Sequence, residues 1–266
     1  DCQRLVKQAL ADPDLGLRTA SINSINWARV ATQTAYYFWA ADRAGLDQAS
    51  FAVPTGNFGD VFAGWVARRC GGPVARLIVA NNANHGLTDL IEGRGLTVTA
   101  VEPTTAPAMD IQVPSNLERY LFELAGGNPA RVRTWQETLA AVGRLELKPA
   151  EHAAMAADFT AGWLPDSEVP ETIREVYESA DLVLDPHTAI AWKVGERLRS
   201  PGEALITIAT AHPAKFPEVV TTALGFTPAL PDDLADLADR PERIHTIATD
   251  YGALRKLLAG LGSADA

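Results

Sequence analysis

Short apolar runs alternate with longer helical stretches along this chain. Residues 51–53 form an apolar run closed by Pro54, and residues 76–80 read Arg-Leu-Ile-Val-Ala. Residues 97–101 make a third β-rich run, and residues 204–209 (Ala-Leu-Ile-Thr-Ile-Ala) a fourth. Strands of this kind separated by helices predict an α/β fold: a parallel sheet with helices on both faces. The helical stretches are 2–10, closed before Pro13, then 26–43, 61–69 and a tail helix near 248–261. Asn23 and Ser24 are candidate caps for the second of these. Its Trp27, Val30, Tyr36, Tyr37 and Trp39 predict a largely buried helix whose aromatics pack in the core. Residues 115–180 are helix-like nearly throughout, interrupted at Gly126-Gly127, Pro149 and Pro165. They read as a helical cap or insertion. The pattern divides the chain into an α/β part (1–114), a mostly helical insertion (115–182) and a return to the α/β core with a closing helix (183–266). It shows no internal repeat and no long linker.

The 266 residues suit one large domain or two smaller ones. The net charge of −10 disfavours nucleic acid, because an acidic chain repels phosphate backbones. A small anion remains open to it, since a few local donors outweigh the mean field. No apolar run approaches the ~20 residues of a membrane helix. Cys2 and Cys70 give no disulfide framework, which points to a reducing compartment, the cytoplasm. Cys70, after Arg68-Arg69, reads as buried rather than reactive. The chain begins at Asp1 without a signal or transit pattern. The start is expected to be either processed or internal to a longer protein.

Common chemical signatures are missing: there is no Walker A loop, no dinucleotide fingerprint, no zinc motif and no nucleophile elbow. No metal site is expected. The strongest local signal is Pro54-Thr55-Gly56-Asn57-Phe58-Gly59-Asp60, between a strand and a helix. Its two glycines open backbone angles that other residues resist. Consecutive N–H groups there can converge on an anion, aided by the helix dipole. Asp60 is read as a helix-start residue whose carboxylate turns away, leaving only its N–H toward a phosphate. The alternative is a plain strand-to-helix turn. A second signal, Thr210-Ala211-His212-Pro213-Ala214-Lys215-Phe216, follows the fourth strand, where ligands of open α/β sheets gather. There too a plain turn is the alternative, with Lys215 in solvent. A third, Asp185-Pro186-His187-Thr188-Ala189, opens a helix with Asp185 as N-cap and Pro186 in the first turn. His187 either faces a site or is satisfied by its neighbours. His85, His152 and His245 read as structural or surface residues.

These motifs, with Asn23-Ser24-Ile25-Asn26, Ala108-Met109-Asp110-Ile111 and Pro114-Ser115-Asn116, resemble the threonine synthases of bacterial and fungal type. They stand in the family's order, and the tail Ala253-Leu254-Arg255-Lys256 is similar as well. The resemblance implies a pyridoxal phosphate enzyme of fold type II, like tryptophan synthase β. It implies conversion of O-phospho-L-homoserine and water to L-threonine and phosphate. Gly56, Asn57, Phe58, Gly59 and Asp60 would cradle the cofactor phosphate, and Thr210 would bond the pyridine nitrogen. A neutral hydroxyl there makes the ring a milder electron sink than a carboxylate partner would. Asn23, Ser24, Asn26, Ser115, Asn116 and His187 would line the substrate site.

The chain also departs from the family. The family's Schiff-base lysine lies in a Phe-Lys-Asp context in the amino-terminal half. None of Lys7, Lys148, Lys193, Lys215 and Lys256 has that context. The Ser/Thr-Gly-Asp-Thr-Gly loop is missing as well. The turn Asn81-Asn82-Ala83-Asn84-His85-Gly86 matches the family's Asn-rich turn only in part. The expectation is therefore a carboxyl-terminal fragment lacking the amino-terminal part. It would hold no catalytic residue of its own, be inactive alone, and be prone to self-association through the face a missing subdomain would cover. Two other readings stand beside it. One is a non-catalytic module that holds a phosphate ester or a partner. The other is an enzyme of the same fold acting on a different amino acid.

Overall fold

The structure is a computed structural model that describes residues 2–17, 20, 23–237, 240–242 and 244–262. Asp1 lies outside them. The chain forms two compact units, Asp1–Ile22 with Pro231–Ala266, and Asn23–Leu230.

In the first unit, α1 (Cys2–Ala11) precedes a turn at Asp12 and Asp14. Tyr251 donates from its hydroxyl to Asp12 Oδ2 at 2.5 Å, and Arg255 reaches the same carboxylate and the Asp14 carbonyl. Tyr251 and Arg255 belong to the closing helix of the chain.

The second unit runs α2 (Trp27–Ala44), β1 (Ala49–Pro54), α3 (Gly59–Arg69), β2 (Val74–Asn81), α4 (Gly86–Ile91), β3 (Leu96–Thr97), α5 (Leu117–Leu124) and α6 (Pro129–Val142). It continues with β4 (Arg144–Leu145), α7 (Pro149–Asp158), β5 (Phe159–Trp163), α8 (Val169–Ala180), α9 (Pro186–Leu198), β6 (Leu205–Thr207) and α10 (Pro217–Leu224). The closing helix of the first unit is α11 (Tyr251–Gly262). Four strands form a parallel sheet in the order β5-β2-β1-β6. The register pairs Val53 with Val79 and Phe51 with Ile206.

Strand alternation gives the sheet two separate cores. Phe51, Val53, Leu77 and Val79 face one way, into a cluster with Tyr37, Val61 and Phe62. Ala52, Ile78 and Ala80 face the other, against Ile173, Ile190 and Val194. Side chains of period two cannot do otherwise in a pleated strand, and covering both faces explains the continuous apolar runs. The sheet with helices on both faces is the fold expected from the sequence.

Several sequence expectations give way. Of the run at 97–101 only Thr97 is in a strand, the two-residue β3 (Leu96–Thr97) that pairs antiparallel to β4 outside the main sheet. Val98 and Val101 are exposed, so that run has no apolar face to bury. The stretch 115–180, read as helix-like nearly throughout, also supplies an edge strand, Phe159–Trp163, beside β2. Its Ala161 and Gly162 carry little β signal, and Gly162 is required because a Cβ there would meet Val194 Cγ1 at 2.9 Å. On α2 only Val30, Tyr37 and Ala41 are buried. Trp27, Tyr36, Phe38 and Trp39 are exposed, Trp39 by 67%. The helix packs along one stripe on α3, and of its exposed aromatics Trp27 still meets Phe62 of α3 edge-on, with ring centroids 6.5 Å apart. Its cap is Asn26, whose Oδ1 accepts from Ala28 N at 3.0 Å, rather than Asn23 or Ser24. Cys70, which caps α3, is exposed and free rather than buried.

Candidate functional site

The turn from β1 into α3 occupies the carboxyl end of the sheet, and four sets of contacts hold it. Asn81 donates from Nδ2 to the Thr55 carbonyl at 2.7 Å, while its Oδ1 accepts from Thr88. Asn57 Oδ1 accepts from the Ser115 hydroxyl at 3.0 Å and the Ser115 N–H at 3.3 Å. The Asn57 carbonyl accepts from Asn116 N at 3.0 Å. Tyr37 donates from its hydroxyl to the Asp60 carbonyl at 2.8 Å and to Asp60 Oδ1 at 3.1 Å.

The glycines do not serve the turn in the way their spacing suggests. Neither Gly56 nor Gly59 has a positive φ; Phe58 does, at 63°. A left-handed non-glycine residue of this kind costs about 1–3 kcal/mol and persists only where its surroundings over-determine it. Here the buried Phe58 ring packs 5.2 Å from Phe159 and 6.2 Å from Tyr120. Gly56 is needed for close approach: a Cβ would meet the Ala108 carbonyl oxygen at 2.5 Å.

The residues predicted around the turn come together. Asn116 donates from Nδ2 to the Ser24 carbonyl at 3.0 Å. Arg119 bridges the same group, with Nε on Asn116 Oδ1 and Nη2 on the Ile25 carbonyl. Asn23 Oδ1 accepts from Ser24 and Ile25, and so shapes the segment leading into α2. Ser24 then faces Gly56, Asn57 and Gly59 across a cavity of about 150 Å³.

Two α2 residues, Arg29 and Gln33, line that cavity, and sequence reasoning missed both. They follow Asn26 on the first turns of the helix and are four apart, so they share a face. That spacing was the available signal. The cavity thus combines a guanidinium, an amide, a hydroxyl-bearing segment and the start of α3. Among the described residues no side chain caps α3, which leaves its first-turn N–H groups open to solvent or a ligand. This donor set fits a phosphate-sized anion. Asp60 is the acid on the wall, and burial pushes its carboxyl up to about 6, with the Tyr37 hydroxyl opposing the shift.

His187 is buried, and protein atoms engage both its ring nitrogens. Nδ1 lies 2.8 Å from Asp185 Oδ1, and Nε2 accepts from Ala108 N at 3.3 Å. It therefore supports the Ala108 backbone that walls the cavity. Asp185 caps α9 as the sequence predicts, accepting from His187 N at 2.9 Å and also from the Thr188 hydroxyl. A second support was not anticipated. Asp110 accepts from Asn82, Asn84 and Thr104, tying the 102–112 loop to the end of β2.

Thr210 is exposed beyond β6, at the same end of the sheet as the turn, because β1 and β6 run parallel. His212 Nδ1 accepts from Ala214 N, and Phe216 packs 4.7 Å from the His187 ring. Lys215 is exposed, and no lysine lines the cavity among the described residues.

Residues 188–258 match the family model described as "Threonine synthase, C-terminal". A threonine synthase of Pseudomonas aeruginosa is 41% identical over 99% of this chain and 57% of its own length. The PLP-bound threonine synthase of Brucella melitensis superposes with a TM-score of 0.89 at 40% identity, covering 97% of this chain and 57% of that one. The yeast threonine synthase superposes at 0.84 with 31% identity, over 100% of this chain and 58% of that one. The chain spans somewhat more than half the length of each of these relatives.

Proposed function

Since the chain belongs to the threonine synthase family, we propose that it serves the conversion of O-phospho-L-homoserine and water to L-threonine and phosphate, with pyridoxal phosphate as cofactor. The observation that carries this reading is the cavity at the start of α3, where uncapped N–H groups and Arg29 offer an anion both donors and charge. When bound, the cofactor supplies the electron sink for charge that develops on the substrate carbons.

In this reading the N–H groups of Gly56, Asn57, Phe58, Gly59 and Asp60 hold the cofactor phosphate at the positive end of the α3 dipole. Thr210 directs a neutral hydroxyl at the pyridine nitrogen. Ser24, Asn26, Ser115 and Asn116 orient the substrate, with Asn23 shaping their approach; the ties of Asn116 to Ser24 and Asn57 support grouping them. His187 acts through Ala108, as its engaged ring nitrogens favour.

The chemical step requires an amine base, and none of the five lysines supports that role. This chain alone is therefore proposed to bind but not to turn over. The exposed Cys70 thiol favours a reducing compartment such as the cytoplasm. Binding of pyridoxal phosphate tests the reading against pyridoxal, which lacks the phosphate. Pyridoxal phosphate should bind at least tenfold more tightly, Asn57→Ala should erase that margin, and borohydride should leave no site-selective label. Equal affinity for the two compounds removes the cradle. A single stoichiometric labelled lysine removes the incomplete-site reading.

One observation favours a partner-binding role as well. Tyr36 and Trp39 of α2, with Ile206 and Ile208 at the edge strand β6, line an almost wholly apolar groove of about 510 Å³. Exposed apolar surface of this kind favours self-association. Sedimentation of Trp39→Ser against the parent chain should show less association; equal association counts against the groove.

A further inference from the structure

We propose that Asp60 takes up a proton when a doubly charged anion fills the cavity at the start of α3, so that anion and proton bind as a pair. The inference rests on the phosphate-cradle reading above and adds a proton to it. Its basis is where the carboxylate stands. Asp60 is the second residue of α3 and shares the cavity wall with Gly56, Asn57 and Gly59. Its side chain meets the α2–α3 contact, where fully buried Tyr37 donates to Oδ1 at 3.1 Å.

Among the described residues, the groups around this carboxylate can be named element by element. From α2 come the Tyr37 phenol, the Arg29 guanidinium and the Gln33 amide. From the loop opposite comes the Ala108 backbone, with His187 and Asp185 behind it. The Tyr37 phenol is pushed well above its ordinary value by burial and by Asp60 itself, and so stays protonated. Asp60, raised by burial to about 6, is the wall group closest to neutrality in its titration.

A dianion arriving at the α3 N–H groups brings like charge within one helical turn of the carboxylate. Like charges in a shared, partly desolvated site raise the carboxyl further. The proton comes from solvent, and the Tyr37 hydroxyl can donate to the neutral acid as it does to the carboxylate. The neutral acid removes the repulsion that would otherwise oppose the dipole and Arg29. Asp60 thereby lets an acidic side chain stand in an anion site without closing it.

Labelled sulfate is the suitable probe, because it remains a dianion across neutrality and contributes no proton of its own. Equilibrium dialysis of the whole chain between about pH 5.5 and about 8 gives affinity, and a pH-stat gives proton uptake. Pyridoxal phosphate should displace the sulfate. Affinity should fall toward about tenfold per pH unit above the Asp60 titration, with uptake approaching one proton per sulfate. Asp60→Asn should bind sulfate with a flat pH profile and no uptake. Tyr37→Phe should move the fall to higher pH, since the lost phenol favoured the charged form; this variant carries the test if Asp60→Asn fails to fold. A pH-independent affinity in the parent chain overturns the proposal and leaves the cradle standing, as does an unchanged slope in Asp60→Asn. Absence of any sulfate binding overturns the cradle reading and this inference with it.

Discussion

Replacing Gly56 by alanine introduces the smallest change that the turn cannot absorb. The new Cβ would sit 2.5 Å from the Ala108 carbonyl oxygen, 3.1 Å from Met109 Cα and 3.3 Å from Ile111 Cγ1. A comfortable separation is roughly 1 Å longer than the first of these, so one backbone segment must move. The Ala108 side is braced: its N–H meets His187 Nε2 at 3.3 Å, and Met109 N donates to Ala106 O at 2.9 Å. The turn side is braced by Asn81 on Thr55 and by Ser115 on Asn57. Forced overpacking of this kind costs about 1–3 kcal/mol. For a chain of this length that corresponds to a melting temperature lower by roughly 2–12 °C. Because the turn itself must give, affinity for pyridoxal phosphate should fall at least tenfold while affinity for pyridoxal changes little. The comparison variant is Gly260→Ala in α11, where a Cβ meets nothing within 4 Å and helix propensity favours alanine. Thermal melts and cofactor titrations of both variants settle the matter. A Gly56→Ala protein with parental melting temperature and parental affinity would refute the close-approach argument.

Other variants probe the supports. Asp60 binds more proton in the fold than in the unfolded chain between 3.8 and about 6, so stability should fall as pH rises through that window and level above it. The amplitude is on the order of 3 kcal/mol, and Asp60→Asn should flatten it; urea midpoints measured from about pH 4 to about 7 would show an unaltered slope if the account is wrong. Asp185→Ala strands the His187 N–H, the His187 ring and the Thr188 hydroxyl, all buried, and should cost about 2–4 kcal/mol. A loss under about 1 kcal/mol in chemical unfolding would mean water replaces the carboxylate. Asp110→Ala should speed amide exchange across residues 102–112 and leave β1 and β2 protected. Uniform exchange changes would contradict a local brace.

The resemblance to threonine synthases was legible from several motifs in order, because each pairs unusual residue types at short spacing. How those motifs meet was not legible. Asn57 lies almost sixty residues before Ser115 and Asn116, and only the packing of α5 beside α3 joins them. For His187 the sequence leaves open a lining role or satisfaction by its neighbours, since nothing local indicates that its Nε2 accepts from Ala108. Arg29 and Gln33 were hidden within a run of aromatics that drew attention to the core. The left-handed residue of the turn went to Phe58 rather than to a glycine, because ring packing against Phe159 and Tyr120 outweighs a local preference.

Continuous apolar runs between helical stretches, with the proline and glycine punctuation, were enough to indicate three of the four strands of the parallel sheet, its helical cover and the position of the turn, because such runs and turns are specified by neighbours in sequence. Local chemistry likewise determined the Asp185 cap. Tertiary structure alone decided which aromatics of α2 are buried, that Phe159–Trp163 is an edge strand, and that Asp60 meets Tyr37. Those outcomes depend on which surfaces become apposed, and a side chain's burial and titration follow from its distant neighbours in space rather than from its own type.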